Sequence, residues 1–216
     1  MFKEFHEQKF FIKSLNHTFL VLLPKKGGVE DLGDYRPISL LGGLYKLLAK
    51  VLANRLKKVI GNVVSSDQNA FIKGRQILDA SLIANEVIDS WQKRGEKGLI
   101  CKLDIEMAYD SINWQFLLKV MQKMGFRPKW LGWIWSCIST TKFSVLVNDV
   151  PAGFFSSSKG LRQGDPLSPY LFVMGMEVLI CLSRGPLKGA LFLGVASGEE
   201  EGRLSIYLTY FLQMIQ

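Results

Sequence analysis

Residues 160–169 read Gly160-Leu161-Arg162-Gln163-Gly164-Asp165-Pro166-Leu167-Ser168-Pro169. Two glycines permit close backbone approach, Gln163 carries both a donor and an acceptor, and Pro166 and Pro169 stiffen the start of a helix running from about Ser168 to Ser183. Such a loop can lie flat against a base pair, and the same string also serves as a tight connection. Just upstream, Phe143, Val145 and Val147 alternate with polar residues as far as Asn148-Asp149, and a second apolar stretch follows, which is a hairpin pattern. The order at this point is hairpin, glycine-bearing loop, apolar helix.

Working outward, Phe19 to Leu23 is a short apolar run stopped by Pro24 and the turn Lys25-Lys26-Gly27-Gly28, which predicts a buried strand leading to a basic loop. From Leu44 to Ile60 the apolar positions Leu44, Leu47, Leu48, Val51, Leu52, Leu56 and Val59 recur at helical spacing. Lys46, Lys50, Arg55, Lys57 and Lys58 lie between them, so an amphipathic, cationic helix is expected. A second helix is predicted over Ile77 to Gln92, a strand over Leu99 to Ile105, a helix over Trp114 to Met124 capped by Gly125, and another over Pro128 to Ser139. Helices outnumber strands and separate them, so the class is mixed α/β or α+β.

The 216 residues carry a net charge of +8, with 48% hydrophobic and 12% aromatic residues, enough for a real core and incompatible with disorder as the main state. Residues 1–75 hold 13 cations and 6 anions, so nearly all the basic excess falls in the first third, which favours a phosphate-bearing partner. Cys101, Cys137 and Cys181 are odd in number and far apart, which argues against a disulfide framework or a zinc site. The opening residues lack a signal-peptide core, and no apolar run approaches the ~20 residues of a membrane helix. The expected location is intracellular, nucleus or cytoplasm, with no membrane partner.

Asp104 ends an otherwise apolar strand. A carboxylate there projects from a sheet edge, where a hard cation such as Mg²⁺ uses one or two such oxygens together with substrate phosphate oxygens. An Asp after a strand also serves as a turn or helix cap, and Asp110 reads as the N-cap of the helix containing Trp114. Arg36 follows the basic turn Lys25-Lys26, with Lys46 and Lys50 on the next helix. Guanidinium beside ammonium groups is a triphosphate or backbone clamp in principle and a solvated surface otherwise.

The segments FLVLLPKKGG, DYRPISLLGGLYKLLAKVLANRLKKVI, SSDQNAFIKGRQILDASLIANE, KLDIEMAYDSINW, FSVLVNDVPAGFF and GLRQGDPLSPYLF resemble, in order and spacing over about residues 5–190, the reverse transcriptase of LINE-type non-LTR retrotransposons, particularly the plant branch. The resemblance implies an α+β right-hand polymerase: fingers and a partial palm, helix-rich, with an incomplete antiparallel palm sheet and no thumb. It divides the chain into a lead-in (1–18), a basic fingers-like region (19–98), a partial palm (99–190) and an aberrant tail (191–216), all within one reverse transcriptase domain.

Residue by residue, Asp104 matches the first metal-binding, catalytic aspartate. Tyr109 matches the aromatic that crowds the sugar 2′ position, and Arg36, assisted by Lys25 or Lys26, matches the contact to the incoming triphosphate. Gln163 and Gly164, with Arg162, match the loop packing on the template and the nascent pair. Gly74 and Arg75 match a template-side motif, and Lys46 and Lys50 fall in the basic region expected to meet template and primer phosphates. The implied cofactor is Mg²⁺, two ions in the intact family, and the implied partners are an RNA template, a DNA primer and dNTPs. Oligomeric state is left open.

The family next presents an aromatic-Ala-Asp-Asp turn, but this sequence has no Asp after Asp165, so the Asp pair that partners Asp104 is missing. Codons permitted for Ile206 to Gln216, read from the third base of the first, encode Leu-Ser-His-Leu-Phe-Phe-Ala-Asp-Asp-Thr. The second Asp is forced by Met214 followed by Ile215. A frameshift, or a mispredicted reading frame, between about Leu187 and Ile206 is therefore expected, leaving the palm sheet without its hairpin; a divergent final strand is the alternative. A polymerase is the leading functional reading, and a catalytically dead nucleic-acid-binding remnant or pseudogene product is the other.

Overall fold

The computed structural model of the chain describes residues 2–10, 12–95, 98–105, 107–184, 190–200 and 203–213. In chain order the elements are α1 (Phe2–Gln8), β1 (His17–Pro24), β2 (Tyr35–Leu41), α2 (Gly43–Val63), α3 (Ile77–Arg94), β3 (Gly98–Asp104), α4 (Trp114–Lys123), α5 (Pro128–Ser139), β4 (Lys142–Val147), β5 (Val150–Pro151), β6 (Phe155–Ser156), α6 (Ser168–Arg184), β7 (Ala190–Glu200) and β8 (Arg203–Gln213). They form two compact units, one of residues 1–56 and 109–172, the other of 57–108 and 173–216.

In the first unit β1 pairs antiparallel with β2 and parallel with β4, giving the order β2-β1-β4-β5, with β6 also on β4. The apolar run in β1 reflects its place between two neighbours. Strand β2 escapes the sequence reading because Pro37 interrupts it. Proline lacks the N–H a ladder uses, and it is tolerated here because β2 is an edge strand. Asn148 and Asp149 have φ of 50° and 63°, the left-handed pair that a two-residue hairpin turn requires, and they join β4 to β5 as expected.

The core of this unit is helical. Helix α4 buries Trp114, Leu117, Val120 and Met121, α5 buries Ile134 and Cys137, and the start of α6 buries Leu171 and Phe172. Two expectations change. Asn113, not Asp110, caps α4: its side chain accepts from Phe116 N at 3.0 Å. On α2 the buried stripe is Tyr45, Leu48, Ala49, Leu52, Ala53 and Leu56, whereas Leu44, Leu47 and Val51 are about half exposed. The true stripe starts at Tyr45, one residue round the helix, because the aromatic and two alanines pack where the hydropathy pattern favours leucines.

In the second unit β8 pairs antiparallel with both β3 and β7, and α3 packs on β7. The expected missing hairpin is thus answered by residues of the tail, with Asp104 opposite Tyr207 in register. What the tail does not supply is an Asp pair: β8 reads RLSIYLTYFLQ, with no carboxylate, and the glutamates Glu199 and Glu200 fall at the far end of β7. Helix α3 starts with a reciprocal cap between Gln76 and Asp79 and ends at Gly95 with φ 65°. Among the described residues no helix is long and apolar enough to cross a membrane.

Candidate active site

The loop that follows β6 is held at its start by three bonds to the chain around α4. Gly160 N donates to Ile112 O at 2.7 Å, Leu161 N donates to Tyr109 O at 2.8 Å, and Trp114 Nε1 donates to Gly160 O at 2.6 Å. Gly160 has φ +89°, and a Cβ there would stand 3.0 Å from the Asp110 carbonyl oxygen. Gly160→Ala combines a left-handed strain with that contact and is expected to cost about 1–3 kcal/mol. A urea midpoint equal to that of the unsubstituted chain would show that the loop gives way freely.

Further along, Arg162 and Asp165 form a buried ion pair, Nη2 to Oδ2 at 2.8 Å, with side chains only 5% and 4% exposed. Asp165 also accepts from Tyr45 OH at 2.7 Å and, through Oδ1, from Leu167 N at 2.9 Å. Arg162 donates to Asn16 Oδ1, Thr18 Oγ1 and Cys137 O, and its guanidinium lies 4.1 Å from the centre of the Tyr45 ring. Burial, then the Asp165 charge, holds the Tyr45 phenol well above its ordinary pKa, and the same two causes push the Cys137 thiol up to about 12. Both stay neutral at ordinary pH, and Cys137 is an inert thiol.

Between these anchors Gln163 and Gly164 cross over β2. Ser39 N donates to Gln163 O at 3.3 Å, and Gly164, with φ +91°, comes so close that a Cβ would sit 3.4 Å from Ser39 O. Gln163 is half-buried and, with Pro37, Ser39, Asp110, Trp114 and Lys159, lines a cleft of about 240 Å³.

The predicted residues divide sharply. Gln163 lines this cleft, and Gly164 lies next to it against Ser39 O. Arg162, expected to touch template, also lines the cleft, but its guanidinium is committed to Asn16, Thr18, Cys137 O and Asp165, so it supports the loop from within. Tyr109 is buried edge-on against Phe172 at 5.1 Å, its phenol pushed up to about 12 by burial, and its ring does not line the cleft. Arg36 is half-buried on β2 and alternates with Pro37 and Ser39, so it faces the other side of the sheet. Lys25 and Lys26 hold the hairpin tip: Lys25 Nζ donates to Gly33 O at 2.7 Å and Lys26 Nζ lies 2.9 Å from Asp34 Oδ2. Lys46 and Lys50 are exposed on α2.

The other three belong to the second unit. Gly74 has φ +84° with open space around it. Arg75 donates to the carbonyls of Ser65 and Gln68 at 2.6 Å each, binding its loop together, while Glu177 accepts from Ser65 N at 3.0 Å. Asp104 closes β3; its side chain lies outside what is described. Its register neighbour is Tyr207, beyond which Ala196 follows on β7. No group of three acidic, His or Cys side chains able to hold a metal occurs among the described residues. The described side chains do not fit a two-ion site.

Sequence reasoning missed Tyr45, Asn16, Thr18, Trp114 and Lys159. A polar Asn16 and Thr18 flanking an apolar strand were the available signal for the first network.

Against known proteins, the reverse transcriptase (RNA-dependent DNA polymerase) family matches residues 23–193. The transposon TX1 uncharacterized 149 kDa protein of Xenopus laevis is 32% identical over 176 residues, 82% of this chain and 14% of that protein. The retrovirus-related Pol polyprotein from type-1 retrotransposable element R2 of Popillia japonica is 26% identical over 181 residues, 83% of this chain and 25% of that one. The chain therefore spans a quarter or less of the length of these relatives. Among solved structures, apo telomerase from Candida tropicalis superposes with a TM-score of 0.55 at 13% identity, over 92% of this chain and 39% of that one, a likeness of fold consistent with part of a polymerase. With a family match running from the hairpin tip through the Gln163 loop and α6, the chain belongs to the reverse transcriptase family, and its relatives are non-LTR retrotransposon proteins.

Proposed function

We propose that this chain is the template- and nucleotide-handling part of an RNA-directed DNA polymerase, acting on an RNA template, a DNA primer and deoxynucleoside triphosphates. The observation that carries the reading is the Gln163–Gly164 loop, set beside β2 on a buried ion pair, with Gln163 lining a cleft. A loop anchored on both sides of one amide with no partner among the described residues suits the edge of a base pair. Lys159 lines the same cleft, and the cations of residues 1–75 suit backbone phosphates. Arg36, Lys25, Lys26, Lys46, Lys50 and the Gly74-Arg75 turn are proposed as phosphate or template contacts. Divalent metal ions serve this family generally, but the acid beside Asp104 is missing from this sequence, so no chemical step is drawn through them.

A labelled RNA template annealed to a DNA primer tests the reading by anisotropy. Binding is expected to weaken tenfold or more between about 50 and 200 mM salt, the fall produced by two or more phosphate contacts. Salt-insensitive binding, or none, would overturn it.

A further inference from the structure

We infer that Tyr45 and Asn16 are positioning residues for the Gln163 loop, acting through the buried Arg162–Asp165 pair; the inference rests on the functional reading above. Gln163 stands directly between the two ionic anchors. Its side-chain amide has no hydrogen-bond partner among the described residues, and its backbone tether to Ser39 is a long one at 3.3 Å. Where Gln163 sits is therefore decided by where Arg162 and Asp165 are held.

Each anchor is held from a different element. Tyr45, on α2 and 2% exposed, gives its hydroxyl to Asp165 Oδ2 and its ring face to the guanidinium. Asn16, just before β1 and fully buried, accepts from Arg162 Nη1 at 2.7 Å. Its own amide shares its two hydrogens among Cys137 O, Thr140 Oγ1 and Thr141 Oγ1, at 3.0, 2.9 and 3.2 Å, so it cannot turn without losing these partners and Arg162 together. The loop is thus referenced to the helix that carries Lys46 and Lys50 and to the strand that leads to Lys25 and Lys26. A buried ion pair is a poor source of stability compared with an apolar filling of equal volume. What it supplies is direction, and a loop that must present one amide at a fixed place needs direction.

Tyr45→Phe keeps the ring and removes one hydroxyl. Paired with Gln163→Ala in a double-mutant cycle, it separates positioning from support. Affinity for the RNA–DNA hybrid is expected to fall about tenfold in the otherwise unsubstituted chain and less than about twofold when Gln163 is already Ala. The melting temperature should move by no more than about 4 °C. Asn16→Ala should repeat the pattern. Equal losses in both backgrounds, or no loss in the first, would overturn the inference. Amide exchange gives a reading independent of hybrid: the Ser39 N–H bonded to Gln163 should exchange faster in Tyr45→Phe, and unchanged protection would also overturn it. If the unsubstituted chain binds no hybrid, the functional reading fails while amide exchange still decides the positioning role.

Discussion

Arg162→Ala is expected to remove about 3–5 kcal/mol of folding stability, the cost of breaking a buried ion pair by deleting one partner. Asp165 would keep a charge that is 4% exposed, with only Tyr45 and Leu167 N to stabilise it. Asn16 Oδ1 and Thr18 Oγ1 would lose their donor inside the core. Against a typical total of about 5–15 kcal/mol, this is a large fraction. Urea unfolding at neutral pH measures it, and a loss below about 1 kcal/mol would place the network at the surface in energetic terms. Replacing both charges by apolar groups of similar volume should recover much of the loss, since the penalty comes from stranding one partner.

Primer extension by the unaltered chain, with Mg²⁺, an RNA template and all four deoxynucleoside triphosphates, is expected to stay at the level of an Asp104→Ala variant. Holding two ions over a triphosphate takes several carboxylates, and here one aspartate ends β3. In register it faces Tyr207, β8 has no acid, and no Asp follows Asp165. Metal stabilisation of a phosphoryl transition state is worth several kcal/mol, so its loss should exceed about a thousandfold in rate. Synthesis that disappears in Asp104→Ala would show that other groups complete the site. Hybrid binding is read separately by anisotropy and should be unchanged in Asp104→Ala, because Asp104 is not among the cleft residues.

The parts of the fold that were legible in the sequence are those whose signals are local. Asn148-Asp149 set a turn by its own backbone preference, Gly125 ended α4, and the Gln163 string carried the family likeness. Strand β2 was not legible, since Pro37 denies the usual pattern and only an edge position excuses it. The stripe of α2 was misplaced by one residue because hydropathy does not say which of two apolar rows meets the core. The support of the loop was out of reach for another reason: Tyr45 is 120 residues from Asp165 and Asn16 is 146 from Arg162. Nothing local marks such partners. Arg162 therefore reads as a template contact, when its guanidinium is the centre of the packing beneath Gln163.

Pro37 has one more consequence. An edge strand with an unbroken row of donors invites a second molecule to add a strand and begin an aggregate, and on β2 the Ser39 N–H is already given to Gln163 O. A proline midway along β2 breaks the row, so this border of the sheet is a poor template for growth from chain to chain.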